Sequence, residues 1–248
     1  MNKYRDPVVL TTTIVEWIRH QVKNSGCTGA VLGVSGGVDS AVLSALLSEA
    51  LSPENVLGVI MPCKSIDKDE ILARKLAEKI GFKVKKVDLT DTYNVLINSI
   101  NYDTNDIDLS ALALANIKPR LRMTTLYSIA QSKNYLVCGG SNKDELMYGY
   151  FTKHGDSGVD LLPISGLLKG EVYLLAEYLG IIREIIDRPP SAGLWEGQTD
   201  EQEMGVSYQE LDEFLAFGKT DNEEKNNKIQ RAVRISEHKR RYPSMPEL

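Results

Sequence analysis

The chain has 248 residues, with 29 basic side chains against 34 acidic ones and a net charge of −5. This length can bury a substantial core, and the acidic balance argues against non-specific nucleic-acid binding. Cys27, Cys63 and Cys138 are far apart and odd in number, which argues against a disulfide framework and a paired-cysteine zinc site and favours a reducing cytoplasm. No apolar stretch is long enough to span a membrane, and the polar N-terminus lacks the apolar core of a signal peptide. We therefore expect a cytoplasmic protein that binds neither nucleic acid nor membrane, formed as one domain over residues 1–248.

Up to residue 140, the chain alternates apolar runs typical of buried strands with amphipathic stretches typical of helices. Strands are predicted at residues 30–34, 56–61, 83–87 and 135–138, and helices at 8–22, 41–51, 67–80, 91–100 and 108–132, the last one interrupted near Lys118-Pro119. This alternation predicts an α/β fold, a doubly wound parallel sheet of about five strands with helices on both faces. Such sheets bind ligands at the carboxyl ends of their strands, where Ser35, Met61 and Gly140 fall.

The part of the chain after residue 140 is predicted to be helical, with helices at 169–179, 207–217 and 222–239 and no strand. Residues 189–204 are rich in glycine, proline and acidic side chains. This stretch is too long for a simple connection, so we interpret it as a functional loop or lid. A disordered insertion fits its composition equally well.

Residues 31–40, with the sequence VLGVSGGVDS, combine a strand, a glycine turn and the start of a helix. Gly36 and Gly37 let backbone N–H groups approach phosphate oxygens, and the helix N-terminus and the hydroxyl groups of Ser35 and Ser40 add further donors. The carboxylate of Asp39 would repel phosphates unless a cation lay between them, and Mg²⁺ is the cation that phosphates usually bring. The motif therefore predicts ATP with Mg²⁺, without the lysine of a Walker A loop. The alternative for Asp39 and Ser40 is a simple helix N-cap.

The same turn also fits a serine hydrolase. Gly33, Ser35 and Gly37 match the G-x-S-x-G nucleophile elbow of α/β-hydrolases. That fold places several strands before the elbow, whereas only 34 residues precede Ser35. His154 and His238 have no distinctive local setting that would indicate a catalytic base. Nucleotide binding is therefore the favoured prediction, with hydrolysis as its rival.

Three further blocks of sequence are distinctive: RLRMTTLYSIAQ at 120–131, GGSNKDELMYGYFTKHGDSGVDLLPI at 139–164 and PPSAGLWEGQTDEQEMGVSYQELD at 189–212. Together with SGGVDS at 35–40, they resemble ammonia-dependent NAD⁺ synthetases. The SGGxDS motif alone resembles only the wider class of N-type ATP pyrophosphatases, which includes GMP synthetases, asparagine synthetases and tRNA-modifying enzymes. The later blocks are more specific, and the resemblance covers nearly the whole chain.

The resemblance implies a carbon–nitrogen ligase that acts last in NAD biosynthesis. The nicotinate carboxylate of deamido-NAD⁺ attacks the α-phosphorus of ATP and releases pyrophosphate, and ammonia then displaces AMP from the acyl adenylate. Such an enzyme has to stabilise charge on the phosphates and exclude water from the adenylate. Glutamine-dependent relatives carry a separate amidase domain, which the residues before Ser35 could not form, so ammonia is the expected nitrogen donor. The sequence leaves open a partner glutaminase and the general base for ammonium.

The resemblance also implies which residues bind the substrates. The ATP-binding positions are Gly33, Val34, Ser35, Gly36, Gly37, Val38, Asp39, Ser40, Gly140, Lys169 and Ser191. The positions for deamido-NAD⁺ are Arg120, Tyr127, Lys153, Asp160, His238 and Lys239. Asp39 and Glu145 are the implied magnesium ligands, and Asp39 and Lys169 are the implied catalytic residues. Without the resemblance, Arg120 and Arg122 would fit a solvated helix face.

One position departs from the family pattern, because the family commonly has a threonine that contacts ATP where this chain has Gly140. The backbone or Ser141 is the expected substitute. The family builds its dinucleotide site across a homodimer interface with helices around residues 111–131, which implies an obligate homodimer. A nucleotide sensor without catalysis is the alternative class of protein, but a sensor would need neither Glu145 nor Lys169.

Overall fold

Four strands and twelve helices form the part of the chain that the computed structural model describes, which is residues 3–64, 67–103, 109–191 and 199–246. The strands are β1 (Gly29–Gly33), β2 (Val56–Ile60), β3 (Lys83–Lys86) and β4 (Tyr135–Cys138). The helices are α1 (Pro7–Ser25), α2 (Val38–Leu51), α3 (Asp67–Ile80), α4 (Thr90–Asp103), α5 (Ala111–Lys133), α6 (Lys143–Tyr148), α7 (Lys169–Tyr178), α8 (Arg183–Ile186), α9 (Asp200–Met204), α10 (Tyr208–Phe217), α11 (Glu223–Ile235) and α12 (Glu237–Arg240).

The sheet is entirely parallel, with its strands in the order β3-β2-β1-β4. Val31 in β1 lies opposite Leu57 in β2 and Val137 in β4. The predicted α/β class is confirmed, but the described residues form four strands rather than about five. After β4 the described residues make only a single parallel bridge, between Cys138 and Leu161. The strand order reverses between β1 and β4, and parallel α/β sheets bind ligands at such a reversal.

The strands alternate between two hydrophobic layers. Leu32 and Ile60 belong to a core shared with α1, α2, α3 and α7, whereas Val31 and Val59 belong to a second core shared with α4 and α5. Helices therefore cover both faces of the sheet, as predicted, and β1 and β2 are continuous apolar runs for that reason. The edge strand β3 is the exception, because of its residues only Val84 is partly buried.

Helix α5 has no break, so the predicted interruption near Lys118-Pro119 is wrong. Proline lacks the N–H group that would bond the carbonyl of Ala115, yet Lys118 and Pro119 are buried within the helix. The loop after α6 packs against this point so closely that a Cβ at Gly155 would lie 3.0 Å from Pro119 Cβ. Tertiary packing therefore outweighs the local preference for a break.

Two other predicted segments differ in detail. The helix predicted at 222–239 consists of α11 and α12, which are joined at Ser236. The segment 189–204, interpreted as a loop or lid, ends in α9. Its residues 192–198 lie outside the described part of the chain.

The described residues after β4 form helices and no strand, as predicted. Met204, Leu211 and Ile229 form part of a third hydrophobic cluster, which joins α9, α10 and α11 and packs against Tyr148 of α6. This cluster places the C-terminal helices next to the edge of the sheet that α6 follows. Within the described ranges, none of the helices combines the length and the apolar character that a membrane span requires.

Candidate active site

A cavity of about 900 Å³ lies at the carboxyl edge of the sheet. Ser35 after β1, Met61 after β2, Lys86 at the end of β3 and Gly140 after β4 all line it. All four described strands therefore contribute to one cavity, next to the reversal between β1 and β4. Its volume falls in the range of sites for cofactors and other small molecules.

The glycine turn between β1 and α2 forms one wall of this cavity. Gly36 has a φ of +73°, and a Cβ there would lie 2.8 Å from the backbone oxygen of Asp69 in α3. Ser35 Oγ lies 3.1 Å from Ser40 Oγ, and Ser40 Oγ donates to Gly37 O at 3.0 Å. Only glycine combines this backbone conformation with so close an approach. The hydroxyl groups of the two serines hold the turn in shape.

Asp39 contacts a buried lysine and does not cap its helix. The N-cap of α2 is Gly37 and has no side-chain cap bond, so the interpretation of Asp39 and Ser40 as a simple cap is wrong. Lys169, 2% exposed, donates to Asp39 Oδ2 at 2.6 Å, and its Nζ lies 3.6 Å from Glu145 Oε1. The fold thus brings together charged side chains from α2, α6 and α7.

The geometry around Ser35 does not support the serine hydrolase. Among the described residues, Ser35 Oγ contacts Ser40 Oγ and accepts from Gly37 N at 3.3 Å. His154 does not line the cavity, and the ring of His238 contacts a backbone carbonyl of the preceding helix. A serine paired with a histidine base, which a serine hydrolase needs, is therefore absent from this part of the described chain.

Helix caps position the groups opposite Asp39. Asn142 Oδ1 accepts from Glu145 N at 3.0 Å, and Glu145 Oε2 accepts from Asn142 N at 3.4 Å, which makes a capping box at the start of α6. The same Asn142 donates from Nδ2 to Asp39 Oδ1 at 2.9 Å. Asp144 Oδ2 accepts from Lys169 N at 3.1 Å. The N-terminus of α6 therefore holds Glu145, orients Asp39 and anchors the first residue of α7.

Burial and neighbouring charges change the ionisation of these side chains. Burial raises the pKa of Glu145, and the charge of Asp39 raises it further. Burial alone would lower the pKa of Lys169, but the charges of Asp39 and Glu145 outweigh burial and raise it above its usual value. The ammonium group of Lys169 is therefore a fixed positive charge at this point of the cavity.

Two side chains that the sequence did not predict complete this cluster. Tyr208 OH donates to Asp200 Oδ2 at 2.9 Å and lies 3.3 Å from Glu145 Oε1. The Tyr208 ring faces Lys169 Nζ, which is 4.7 Å from the ring centroid. Burial raises the pKa of Tyr208, so its hydroxyl stays a neutral donor. Asp200 also lines the cavity.

A second part of the cavity wall consists of Arg120, Lys153, His238 and Lys239, and we call it the cationic rim after its one Arg and two Lys side chains. Arg120 Nη2 donates to Lys153 O at 3.3 Å, and Lys153 Nζ donates to His238 O at 2.7 Å. Lys239 Nζ donates to two backbone carbonyls of the loop after α6, at 2.8 and 2.9 Å. Helix α5, this loop and α12 thus bring the four side chains to one edge of the cavity.

Three of the predicted site residues do not line the cavity. Tyr127 OH donates to Asp160 Oδ1 at 3.0 Å, and Asp160 Oδ2 accepts from Val137 N at 2.8 Å. This pair joins α5 to β4 outside the cavity wall. Gly36 faces α3 instead. Every other predicted position lines the cavity, including Ser191.

Gly140, the departure from the family pattern, lies against the start of α2. A Cβ at this position would lie 3.8 Å from Ser40 N, which is an ordinary contact distance. The fold therefore has room for a side chain there. Ser141, the expected substitute, is buried and lines the cavity.

Three cavity residues have no local signal in the sequence. Arg122 donates from Nε to Met61 O at 3.1 Å and lines the cavity, so it is not the solvated helix residue that its spacing suggests. Asp156 accepts a backbone N–H bond within its own loop, and burial raises its pKa. Arg188 lies 2.7 Å from Asp69 in an ion pair. Their partners are distant in the chain or lie in an irregular loop, so only the fold reveals them.

A parallel sheet with a glycine turn, a helix N-terminus and a buried lysine at its reversal point defines an α/β protein of the nucleotide-binding class. The chain matches the NAD synthase family over residues 10–243. It is 47% identical to the NH(3)-dependent NAD(+) synthetase of Finegoldia magna over 94% of this chain and 93% of that protein. It is 48% identical to the enzyme of the same name from Carboxydothermus hydrogenoformans over 96% and 97% of the two chains. Its structure is similar to that of NMN synthetase from Francisella tularensis, with a TM-score of 0.92, 35% identity and coverage of 98% and 100%. The chain therefore belongs to the NAD synthase family.

Proposed function

We propose that this protein amidates deamido-NAD⁺ to NAD⁺ with ammonia, and that it uses ATP and releases AMP and pyrophosphate. The observation that carries this proposal is the convergence of Asp39, Glu145 and the buried Lys169 beside the glycine turn. The names of the Finegoldia and Carboxydothermus relatives support both the product and the nitrogen donor. The reaction is a carbon–nitrogen ligation in NAD biosynthesis.

The reaction has two steps at one carboxyl group. In the first step, a nicotinate carboxylate oxygen bonds to the α-phosphorus of ATP, and the bond to the bridging oxygen breaks, so that pyrophosphate leaves with the electron pair. In the second step, ammonia attacks the acyl carbon, AMP leaves with the electron pair of the C–O bond, and the nitrogen loses a proton. Because the acyl adenylate also reacts with water, the cavity has to exclude water between the steps.

The glycine turn and Lys169 bind the triphosphate in this proposal. The turn brings Ser35, Gly37 and Ser40 to the cavity wall, next to the positive end of α2. Lys169 offers an ammonium group that Asp39 already holds at 2.6 Å. Donors that are fixed before the substrate binds need little reorganisation when charge develops on the phosphates.

Mg²⁺ is the cofactor that we propose, with Asp39 and Glu145 as its protein ligands. Their oxygens converge, since Lys169 Nζ lies 2.6 Å from Asp39 Oδ2 and 3.6 Å from Glu145 Oε1. Mg²⁺ usually takes one or two protein carboxylates and completes its shell with phosphates and water, so this donor set fits. In the described ranges, His, Cys, Asp and Glu nowhere form a metal-binding group of three or more. When bound, the ion supplies positive charge at the phosphates.

The cationic rim is the proposed site for the pyrophosphate and carboxylate groups of deamido-NAD⁺, because guanidinium and ammonium groups suit both anions. Tyr127 and Asp160 lie outside the cavity wall of one chain, and we assign them to the same substrate in a homodimer over α4 and α5. The exposed apolar side chains of Val95 on α4 and Leu112 on α5, 65% and 60% exposed, support this interface.

We propose that residues 1–248 act as one domain in the cytoplasm. The free thiols of Cys27, Cys63 and Cys138 suit a reducing compartment. Relatives that are named for their use of NH3 match this chain over 93% and 97% of their length, which supports ammonia itself as the nitrogen donor.

A second candidate differs only in the acid that is amidated. The Francisella tularensis protein with a TM-score of 0.92 is named an NMN synthetase. The mononucleotide of nicotinic acid has the same reacting carboxylate as deamido-NAD⁺ but lacks the AMP half. Both acids would react through the same adenylation, so the assay has to compare them.

The experiment incubates purified protein with ATP, Mg²⁺ and ammonium, and with either deamido-NAD⁺ or nicotinic acid mononucleotide. We expect NAD⁺, AMP and pyrophosphate in equal amounts from deamido-NAD⁺, with the higher kcat/KM for this acid. Without ammonium, exchange of labelled pyrophosphate into ATP should continue, because adenylation precedes amidation. ADP and phosphate as products would contradict the mechanism, and a higher kcat/KM for the mononucleotide would establish the second candidate.

A further inference from the structure

Arg188 is a charged side chain of the cavity that the proposed reaction does not yet use. It follows α8 and precedes Pro189, Pro190 and Ser191, and all four residues line the cavity. Its side chain is 25% exposed, and Nη2 lies 2.7 Å from Asp69 Oδ1 in the first turn of α3. The ion pair therefore joins the segment that carries Ser191 to the helix beside the glycine turn.

Asp69 places this guanidinium group next to the turn. A Cβ at Gly36 would lie 2.8 Å from Asp69 O and 3.4 Å from Asp69 Cα, so the backbone of Asp69 packs directly on the turn. The residues of the cationic rim bond to each other and to the loop after α6, in a different part of the wall. Arg188 thus lies on the side of the cavity where the triphosphate would bind.

The hydrogen bonds of Arg188 are incomplete. Its Nη1 is buried and has no hydrogen-bond acceptor among the described residues, and Asp69 Oδ1 is buried without a bond of good geometry in spite of the ion pair. Buried polar groups of this kind are rare and costly in native proteins unless a ligand completes them. A guanidinium group with a free N–H donor beside a phosphate-binding turn is suited to a phosphate oxygen.

We infer that Arg188 binds the β- and γ-phosphates of ATP and then the leaving pyrophosphate, and that Asp69 orients its guanidinium group. This inference rests on the proposed function. When the bond between the α-phosphorus and the bridging oxygen breaks, negative charge develops on the pyrophosphate. Lys169 and Arg188 neutralise that charge from two elements of the fold, α7 and the segment after α8. Arg188 is therefore both a substrate-binding residue and a stabiliser of the leaving group.

Binding measurements with Arg188→Gln test this inference, using ATP, inorganic pyrophosphate and AMP as separate probes in the presence of Mg²⁺. We expect the variant to bind ATP and pyrophosphate roughly 10-fold or more weakly, because it loses a charge-assisted contact, and to bind AMP as the wild type does. In steady state, KM for ATP should rise and kcat should fall, while KM for deamido-NAD⁺ stays constant. Arg188→Lys should restore part of the affinity for pyrophosphate, since it keeps the charge and loses the planar fork.

Arg183→Gln is the matched control. Arg183 lies five residues earlier, in α8, is 67% exposed and pairs with Glu177 and Asp187 outside the cavity. This variant should leave all three affinities unchanged. Asp69→Asn should weaken pyrophosphate binding less than Arg188→Gln does, because the guanidinium group remains.

Two results would overturn the inference: equal weakening of ATP and AMP binding in Arg188→Gln, or a lower melting temperature with wild-type affinity for ATP and pyrophosphate. Either result would show that the Arg188–Asp69 ion pair stabilises the structure and does not bind phosphate. If Arg188→Gln does not fold, Arg188→Lys decides the question. Wild-type affinity for pyrophosphate together with an unchanged KM for ATP in Arg188→Lys would contradict a forked contact. The proposed function fails separately, when the wild type binds ATP and yet makes no NAD⁺.

Discussion

Three side chains set the charge beside the glycine turn. Lys169 brings a buried ammonium group, and Asp39 and Glu145 bring carboxylates that lie within 2.6 and 3.6 Å of it. If both carboxylates are ionised, the three together have a net negative charge, and phosphates would be repelled without another cation. Burial raises the pKa of Glu145, and the negative charge of Asp39 raises it further, so only the second effect comes from the crowding of carboxylates. Asp39 can therefore lie next to bound phosphates only when a further cation, in addition to Lys169, lies between them.

Asp39→Asn should reduce adenylation and keep the fold. The change removes one charge and keeps the size of the side chain, and Glu145 still lies 3.6 Å from Lys169 Nζ, so the buried ammonium group keeps a counter-charge. We expect exchange of pyrophosphate into ATP to fall by roughly 100-fold or more, as for the loss of other preorganised charged groups. Circular dichroism should show a wild-type spectrum.

Asp6→Asn is the control for this experiment. Asp6 caps α1 through bonds from Val8 N and Val9 N, and it lies outside the cavity wall. Asparagine caps helices about as well as aspartate, so this variant should exchange pyrophosphate at the wild-type rate. Wild-type exchange in Asp39→Asn itself would remove Asp39 from the proposed metal and phosphate site.

The sequence could predict Asp39 because a carboxylate next to a phosphate-binding glycine turn indicates a bound cation from neighbouring residues alone. Glu145 and Lys169 have no such local pattern, and only the family resemblance pointed to them. Arg188 and Asp69 could not be predicted, because their ion pair joins positions far apart in the chain and neither has a motif around it. Tyr208 was also missed, since a tyrosine at the start of an amphipathic helix is usually a core residue.

The glycine turn depends on a backbone that only glycine adopts easily. Gly36 has a φ of +73°, and its Cα faces the backbone of α3 rather than the cavity. The turn thereby lines the cavity with Ser35 and Gly37 while α3 supports it from behind. A side chain at Gly36 would push the turn and α3 apart.

Gly36→Ala should weaken ATP binding and lower stability. The left-handed backbone costs an alanine about 1–2 kcal/mol, and the new Cβ would lie 2.8 Å from Asp69 O, a backbone atom that cannot move alone. We expect the Kd for ATP to rise by roughly 10-fold or more, measured by calorimetry, together with a lower free energy of unfolding in urea.

Gly26→Ala is the control that measures the strain of a left-handed backbone without the contact that a Cβ at Gly36 would make with α3. Gly26 ends α1 with a φ of +71°, almost the same as that of Gly36, but a Cβ there meets nothing within 4 Å. This variant should lose stability through the backbone alone and bind ATP normally. If Gly36→Ala behaved like Gly26→Ala in both measurements, the packing of the turn on α3 would have no part in ATP binding.

Long elements could be predicted because their patterns are repeated over many residues. The apolar runs gave β1, β2 and β4 within one or two residues, and the charged start and basic end of residues 67–80 gave α3 with its bounds. The short helices α6, α8 and α9 were missed, since four to six residues contain too little periodicity. The break at Pro119 was wrong because packing against the loop around Gly155 holds α5 together.

The first residues of the described chain connect elements that are distant in sequence. Tyr4 OH donates to Asp212 Oδ2 in α10 at 2.6 Å, and the Tyr4 ring lies so close to Gly170 that no Cβ would fit there. Arg5 donates from Nε and from its backbone N to Glu171 Oε1, at 2.8 and 3.0 Å. Glu171 is almost fully buried in the first turn of α7, two residues after Lys169. The N-terminal segment therefore fixes the end of the helix that presents Lys169.

The Arg5–Glu171 pair should give the stability of the whole protein a distinct pH dependence. Burial alone would raise the pKa of Glu171, but hydrogen bonds from Arg5 and from Leu168 N outweigh burial and lower it below its ordinary value of 4.5. Because the folded pKa lies below the unfolded one, the pair contributes fully above the unfolded value and is lost as the pH falls through the folded value. Arg5→Gln should therefore lower the free energy of unfolding by about 1–3 kcal/mol at pH 7, with a smaller difference from wild type at pH 4, as measured by urea titrations at both values.

Arg19→Gln is the control, because Arg19 donates only to the carbonyl groups of Glu49 and Ala50 among the described residues, and these do not titrate. Its effect should be the same at both pH values, and an equal loss for Arg5→Gln at pH 4 and pH 7 would contradict a charged Glu171 as the partner of Arg5.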